Sequence, residues 1–197
     1  MATMTAVGTD YPVQVDIDGP QPQNRLSVLL RLLFVIPAAI VAAVIGLVAA
    51  VVAIIAWFAI LITGKYPAGM LSFVVGALRW GTRVGGYAYL LTDKYPPFSS
   101  AEDAQYPIRL SAVEQVEGRN RLTTLFRVIM IIPHYIIISV LGYAAGVVGI
   151  IGWFAALFTG SVPAGLHSFL AGYTRWNARY QAYALLVTDE YPPFSLS

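Results

Sequence analysis

Four arginines recur in two pairs, Arg79 with Arg83 and Arg175 with Arg179. The members of each pair are four residues apart, so on a helix they share one face. Paired guanidinium groups on an exposed helix face suit lipid headgroup phosphates. The same residues facing inward would suit an anion path. Trp80 and Trp176 adjoin the pairs, and Tyr95, Phe98, Tyr191 and Phe194 close the two halves of the chain. Aromatic side chains of this kind settle at membrane interfaces. The pattern therefore predicts lipid-headgroup or partner contact through Arg79, Arg83, Arg175, Arg179, Trp80, Trp176, Tyr95, Phe98, Tyr191 and Phe194.

Other chemistry finds little footing. The chain has no cysteine, hence no disulfide, thiolate metal site or cysteine nucleophile. His134 and His167 are the only histidines, too few for a multi-histidine zinc or haem site. Asp16-x-Asp18-Gly19 resembles the start of a calcium loop, but its twelfth position is Ser27 where a bidentate glutamate is required. No Gly-x-Ser-x-Gly, Walker loop or His-Glu-x-x-His occurs. The expectation is a protein that is not an enzyme and carries no cofactor, with each histidine hydrogen-bonded.

The elements that must position these residues are apolar. Of 197 residues, 58% are hydrophobic and 11% charged, against about 25% charged in a soluble domain. Mean hydropathy is +0.70. The composition excludes a disordered chain and a nucleic-acid-binding domain, and it points to an integral membrane protein. Nothing in the first 18 residues reads as a signal peptide.

The chain is a tandem duplication. An offset of 96 residues superposes Asn24 to Ser99 on Asn120 to Ser195 with 40 identities in 76 positions. Matched stretches include Trp57-Phe58-Ala59 with Trp153-Phe154-Ala155, and Arg79-Trp80 with Arg175-Trp176. The longest is Thr92-Asp93-x-Tyr95-Pro96-Pro97-Phe98-Ser99 with Thr188-Asp189-x-Tyr191-Pro192-Pro193-Phe194-Ser195. Tyr11-Pro12 and Tyr106-Pro107 match at an offset of 95. The reading divides the chain into a tail (1–9), a first membrane repeat (10–99), a linker (100–104) and a second membrane repeat (105–197).

This motif set resembles a bacterial family of small membrane proteins catalogued as a domain of unknown function, with one copy per half. The resemblance implies an architecture and no mechanism.

Within each repeat the opening alternates: Val13, Val15 and Ile17, and again Ile108, Leu110 and Ala112. Period two predicts a short strand. Residues 32–63 and their copy 128–159 then run without one charge. About 20 residues suffice to span a bilayer, so 32 leave an excess. One solution is a helical hairpin turning near Gly46 and Gly142; the other is one long helix, tilted or kinked at Pro37 and Pro133. All 12 basic residues flank the runs. A hairpin places them on one side and satisfies the positive-inside rule, so a hairpin is expected. Gly46, Gly142, Gly146, Gly149 and Gly152 are small residues suited to close helix packing, chiefly within the chain. The segment from Pro67 to about Gly86 and its copy predict an amphipathic in-plane helix.

The expected fold class is thus an all-α integral membrane protein. It is a tandem repeat of a transmembrane hairpin plus an in-plane helix, with short extended segments at the membrane surface. The expected function is a non-enzymatic accessory or scaffold protein that binds membrane lipid, other membrane proteins or a second copy of itself. The alternative is a small transporter or channel with a pathway between the repeats. The expected place is the cell membrane, multi-pass, with termini and linker cytoplasmic.

Overall fold

The computed structural model describes residues 11–197; the tail at 1–9 lies outside the described residues. Eight elements follow in order: β1 (Val13–Ile17), α1 (Arg25–Leu29), α2 (Arg31–Thr63), α3 (Ala68–Ala88), β2 (Ile108–Ala112), α4 (Arg121–Met130), α5 (Ile132–Thr159) and α6 (Ala164–Ala184). Local chemistry sets the boundaries. The Asn24 side chain accepts from the Leu26 N–H to cap α1, and Asn120 does the same for α4. Gly64 and Gly160 end the long helices in the left-handed region, at φ 72° and 84°, where a residue without Cβ is unstrained.

The expected hairpins are absent. Gly46 and Gly142 sit inside the uninterrupted helices α2 and α5. The reason is backbone hydrogen bonding. A turn at Ile45-Gly46-Leu47 would strand N–H and C=O groups among apolar side chains, and a helix satisfies them all. Instead Gly64 to Pro67 makes the turn, and α3 folds back along α2. Both α2 and α5 are long and apolar enough to cross a membrane.

Each long helix buries only a narrow stripe. On α2 the buried residues are Arg31, Ala38, Ala49, Ala53, Ala56 and Ile60, close to the 3.5-residue spacing of one helix packed on one neighbour. The small alanines let α2 approach α3. The remaining perimeter is exposed and apolar: Leu32, Ile40, Leu47, Ile54 and Ile62 among others.

The strands form as their alternation predicts, but not as surface segments. They pair antiparallel, with Val13 opposite Ala112, Val15 opposite Leu110 and Ile17 opposite Ile108. Val15 and Leu110 are repeat counterparts at the offset of 95, so the ladder is centred on a pseudo-twofold axis. Val13, Val15 and Leu110 pack into a core with Leu71, Val74, Leu78, Ala178 and Ala182. The in-plane surface helices are thereby corrected: α3 and α6 form the middle of the molecule, between strands and long helices.

The repeats also exchange their openings. Trp57 on α2 donates to the Thr124 carbonyl of α4 at 2.8 Å, and Trp153 on α5 donates to the Val28 carbonyl of α1 at 2.7 Å. The Arg119 N–H reaches the Gly64 carbonyl, and the Gln23 N–H reaches that of Gly160. The start of each long helix therefore lies beside the end of the other, and α2 and α5 run antiparallel.

Candidate functional site

The chemistry of the molecule concentrates where each repeat closes on its own beginning. In the first repeat the Asp93 carboxylate accepts from Arg31 at 2.9 Å, from the Asn24 backbone N–H at 3.1 Å and from the Ser27 hydroxyl. Arg31 also donates to the Thr92 carbonyl and the Gln23 amide oxygen. Its guanidinium lies 4.0 Å over the Tyr87 ring, and the residue is 1% exposed. A buried cation is tolerated only with such pairing and hydrogen bonding.

The second repeat repeats this clasp with two changes, one being that Thr123, at the position of Ser27, donates to the Asn120 carbonyl and not to the carboxylate. Asp189 accepts from Arg127 at 2.7 Å and from the Asn120 N–H at 2.8 Å, and Arg127 lies 3.8 Å over Tyr183. Where the first repeat has Gln23, the second has Arg119. Arg119 donates to the same Asp189 oxygen at 2.9 Å and to the Leu186 and Val187 carbonyls. Burial pulls the Arg119 and Arg127 guanidinium groups below their ordinary range, and the Asp189 charge works against it. Burial also pushes the Tyr66 phenol up to about 12, although the nearby Arg119 charge draws it back.

Two of the four arginines singled out by spacing, Arg83 and Arg179, are buried and do not face outward, a correction to the expected headgroup contact, while Arg79 and Arg175 are partly exposed but also engaged with the fold. Arg83 is 1% exposed and donates to the Ser99 and Ala101 carbonyls at 3.1 and 2.8 Å. Arg179 is likewise buried and bonds the Ser197 carbonyl. Arg79 ties together the Leu110 carbonyl, the Ser100 carbonyl and Glu102. Arg175 reaches the Val15 carbonyl at 3.1 Å. Each pair fastens the segment after the aromatic motif and one strand of the ladder. Frayed carbonyls inside the fold attract the guanidinium groups, since a buried acceptor without a donor costs about 1–3 kcal/mol.

Trp80 and Trp176 are buried too, a second correction to the interface reading. Tyr95, Phe98, Tyr191 and Phe194 remain partly exposed and fold back as a lid. Phe98 packs on Trp80 and Tyr95 on Tyr87, with Phe194 on Trp176 and Tyr191 on Tyr183 in the copy. His134 is hydrogen-bonded, accepting from Trp176 at 3.0 Å, and stacks on Phe194. Of the glycines, Gly142 packs against Tyr173, Gly149 against Tyr89 and Gly152 against Val162. Gly46 and Gly146 face open space, so they are not packing positions within the chain.

Two equivalent clefts open beside the clasps. One, about 340 Å³, is lined by Arg31, Leu32, Leu90, Gly149, Trp153 and Phe154. The other, about 420 Å³, is lined by the repeat counterparts Arg127, Val128, Leu186, Ala53, Trp57 and Phe58. Among the described residues no three His, Asp or Glu side chains gather as a metal site.

Residues 25–100 and 121–195 each match the model of a family described as Domain of unknown function (DUF4389). The chain belongs to this family. One DUF4389 copy begins at α1 and the other at α4, and each ends just beyond its aromatic motif. Both strands, Gln23 and Arg119 fall outside the two matches. No curated protein and no solved structure matches the chain.

Spacing did not single out the clasp residues Arg31, Asp93, Arg127 and Asp189 as a site. One signal was present: all four are identical between repeats, Arg31 and Arg127 bordering the uncharged runs and Asp93 and Asp189 opening the aromatic motif.

Proposed function

We propose that this DUF4389 protein is a membrane-bound, non-enzymatic accessory or scaffold protein that holds lipid along α2 and α5. The observation that carries this reading is the exposure of those helices. Neither has a charged residue in residues 32–63 or 132–159, and Leu47, Ile62, Val140 and Phe158 stand 65–74% exposed. A water-soluble monomer rarely exposes a contiguous apolar patch beyond a few hundred Å². The clefts at Trp57 and Trp153 extend the same apolar surface. Lipid contact moves from the arginines, which are engaged with backbone carbonyls of the fold, to the long helices.

Transport gains no support from the repeat interface. That space is filled by Leu71, Val74, Leu78, Ala178 and Ala182, whereas a pathway needs polar lining.

The test is fractionation followed by native mass spectrometry. The protein should stay with membranes through an alkaline carbonate wash and carry phospholipid when purified in mild detergent. Recovery in the wash, free of lipid, would overturn the reading.

A further inference from the structure

The molecule has three layers, and their order decides how a bilayer can meet it. On α3, Trp80 and Val84 pack against Ala38, Ala42 and Ile45 of α2. Arg79 points to the other layer, donating to the Leu110 carbonyl of β2. Val84 lies five residues beyond Arg79, about 140° round a helix of 3.6 residues per turn. The strands and α2 therefore occupy opposite sides of α3. The pseudo-twofold gives the same order to β1, α6 and α5, with Arg175 on the Val15 carbonyl. Both long helices lie on the face away from the ladder.

Charge accompanies these helices along their whole length. At the start of α2 are Arg25, Arg31 and Asp93. At its end are Lys65 with Glu117, paired at 2.6 Å, and Arg121 beside Gly64. At mid-length, behind α3, are Arg79 with the exposed Glu102, and Asp18 with Arg109. A helix of 33 residues is about 50 Å long at 1.5 Å per residue, and a hydrocarbon core is about 30 Å thick. A bilayer crossed by α2 would also hold Glu102, Asp18 and Arg109 near its centre. Each such charge costs on the order of 3 kcal/mol on insertion scales. The antiparallel course of α2 and α5 adds a second objection, because the charged segment from Asp93 to Arg119 would have to pass from one side to the other.

We propose that α2 and α5 do not cross the bilayer but lie in its plane, side by side and antiparallel, sunk into one leaflet. The strands and loops stay on the aqueous side. The inference rests on the membrane-bound reading above and specifies its geometry. The occupant of the exposed face is lipid. Two uncharged runs of 32 residues match hydrocarbon, and arginine or lysine lies beside the ends of both helices, with Arg25 beside Gly160 at the end of α5, which matches anionic headgroups. The pseudo-twofold axis then stands along the membrane normal, so both repeats meet the leaflet alike. All 12 basic residues fall on one side, which meets the positive-inside rule without any hairpin.

The absence of cysteine makes the test clean. Single cysteines at Ile36, Leu47 and Ile62, all exposed on α2, carry a nitroxide label in vesicles of phosphatidylglycerol and phosphatidylethanolamine. Relaxation by oxygen against a water-soluble nickel chelate reads the depth of each label. In-plane seating gives the same depth at all three sites. A profile deepest at Leu47 and shallow at Ile36 and Ile62 overturns the seating and keeps the membrane-bound reading. Labels open to nickel as in water, or protein that does not bind the vesicles, overturn both. Labels shielded from oxygen and nickel together mean a second copy covers the face and overturn the lipid occupant. Cysteines at Ser27, Lys65, Ser99 and Ser195 should all react from the same side; Ser27 and Lys65 on opposite sides would overturn the seating.

Discussion

The indole N–H of Trp176 donates to Nδ1 of His134 at 3.0 Å, whereas the equivalent N–H of Trp80 has no acceptor among the described residues. The cause is one exchange between repeats. The position of His134 is Ala38 in the first copy. Replacing Trp176 by Phe would strand the buried imidazole nitrogen, and Trp80→Phe would strand nothing. Trp176→Phe should therefore cost about 1 kcal/mol more than Trp80→Phe, read as the difference in thermal unfolding of the two variants in the same detergent. Equal losses would refute the pairing.

Asp189 holds two buried arginines where Asp93 holds one. Asp189→Asn should be the more damaging change, costing about 3–5 kcal/mol, since it leaves two guanidinium groups without a counter-charge where Asp93→Asn leaves one. Arg119→Gln recreates the arrangement that Gln23 makes in the first repeat. Added to Asp189→Asn, it should recover part of the loss. A double-mutant cycle on unfolding midpoints measures this, and strict additivity would show that the two residues do not interact.

A methyl group on Gly86 would collide with the Ile108 side chain. The repeat counterparts are Ala182 and Val13, one methyl larger on the helix and one smaller on the strand. Gly86→Ala should destabilise by about 1–3 kcal/mol through overpacking. The double variant Gly86→Ala with Ile108→Val should be more stable than Gly86→Ala alone, helped by the roughly 1 kcal/mol that alanine gains over glycine inside a helix. Thermal unfolding of the three proteins decides it.

His167 is buried on α6, and burial, reinforced by the Arg175 charge, pulls its pKa below the ordinary 6.5. The unfolded chain then binds this proton more readily than the native one. Stability from the neutral imidazole is full above pH 6.5 and declines as pH falls below it, until the native pKa is passed. His167→Leu copies the first repeat, where Leu71 is fully buried. The variant should lose less stability than the wild type between pH 7.5 and about 5; an unchanged slope in the unfolding midpoint would remove His167 as the source.

The duplication, the two strands and the uncharged runs could be read from the residues because each is a local or periodic property. Alternation at Val13, Val15 and Ile17 specifies a strand wherever it sits, and 32 residues without charge specify an apolar helix. What covers a face is different. Arg83 and Arg179 have the spacing of an exposed, phosphate-seeking face, yet they end among the Ser99, Ala101 and Ser197 carbonyls, because α3 and α6 lie between the long helices and the strands.

Sequence alone thus determined that the molecule is built twice from one unit and that much of its surface is apolar. Only the tertiary structure decided which side chains meet water or lipid. The partner of Arg31, Asp93, lies 62 residues away, and that of Arg119, Asp189, lies 70 away. No periodicity reports contacts of that range. The direction of α5 relative to α2 was equally out of reach, since it follows from Trp57 and Trp153 each docking on the other repeat. That antiparallel arrangement sets charge along the full length of the apolar helices, and the cost of placing those charges in hydrocarbon turns the preferred membrane from one that cuts across the helices to one that lies along them.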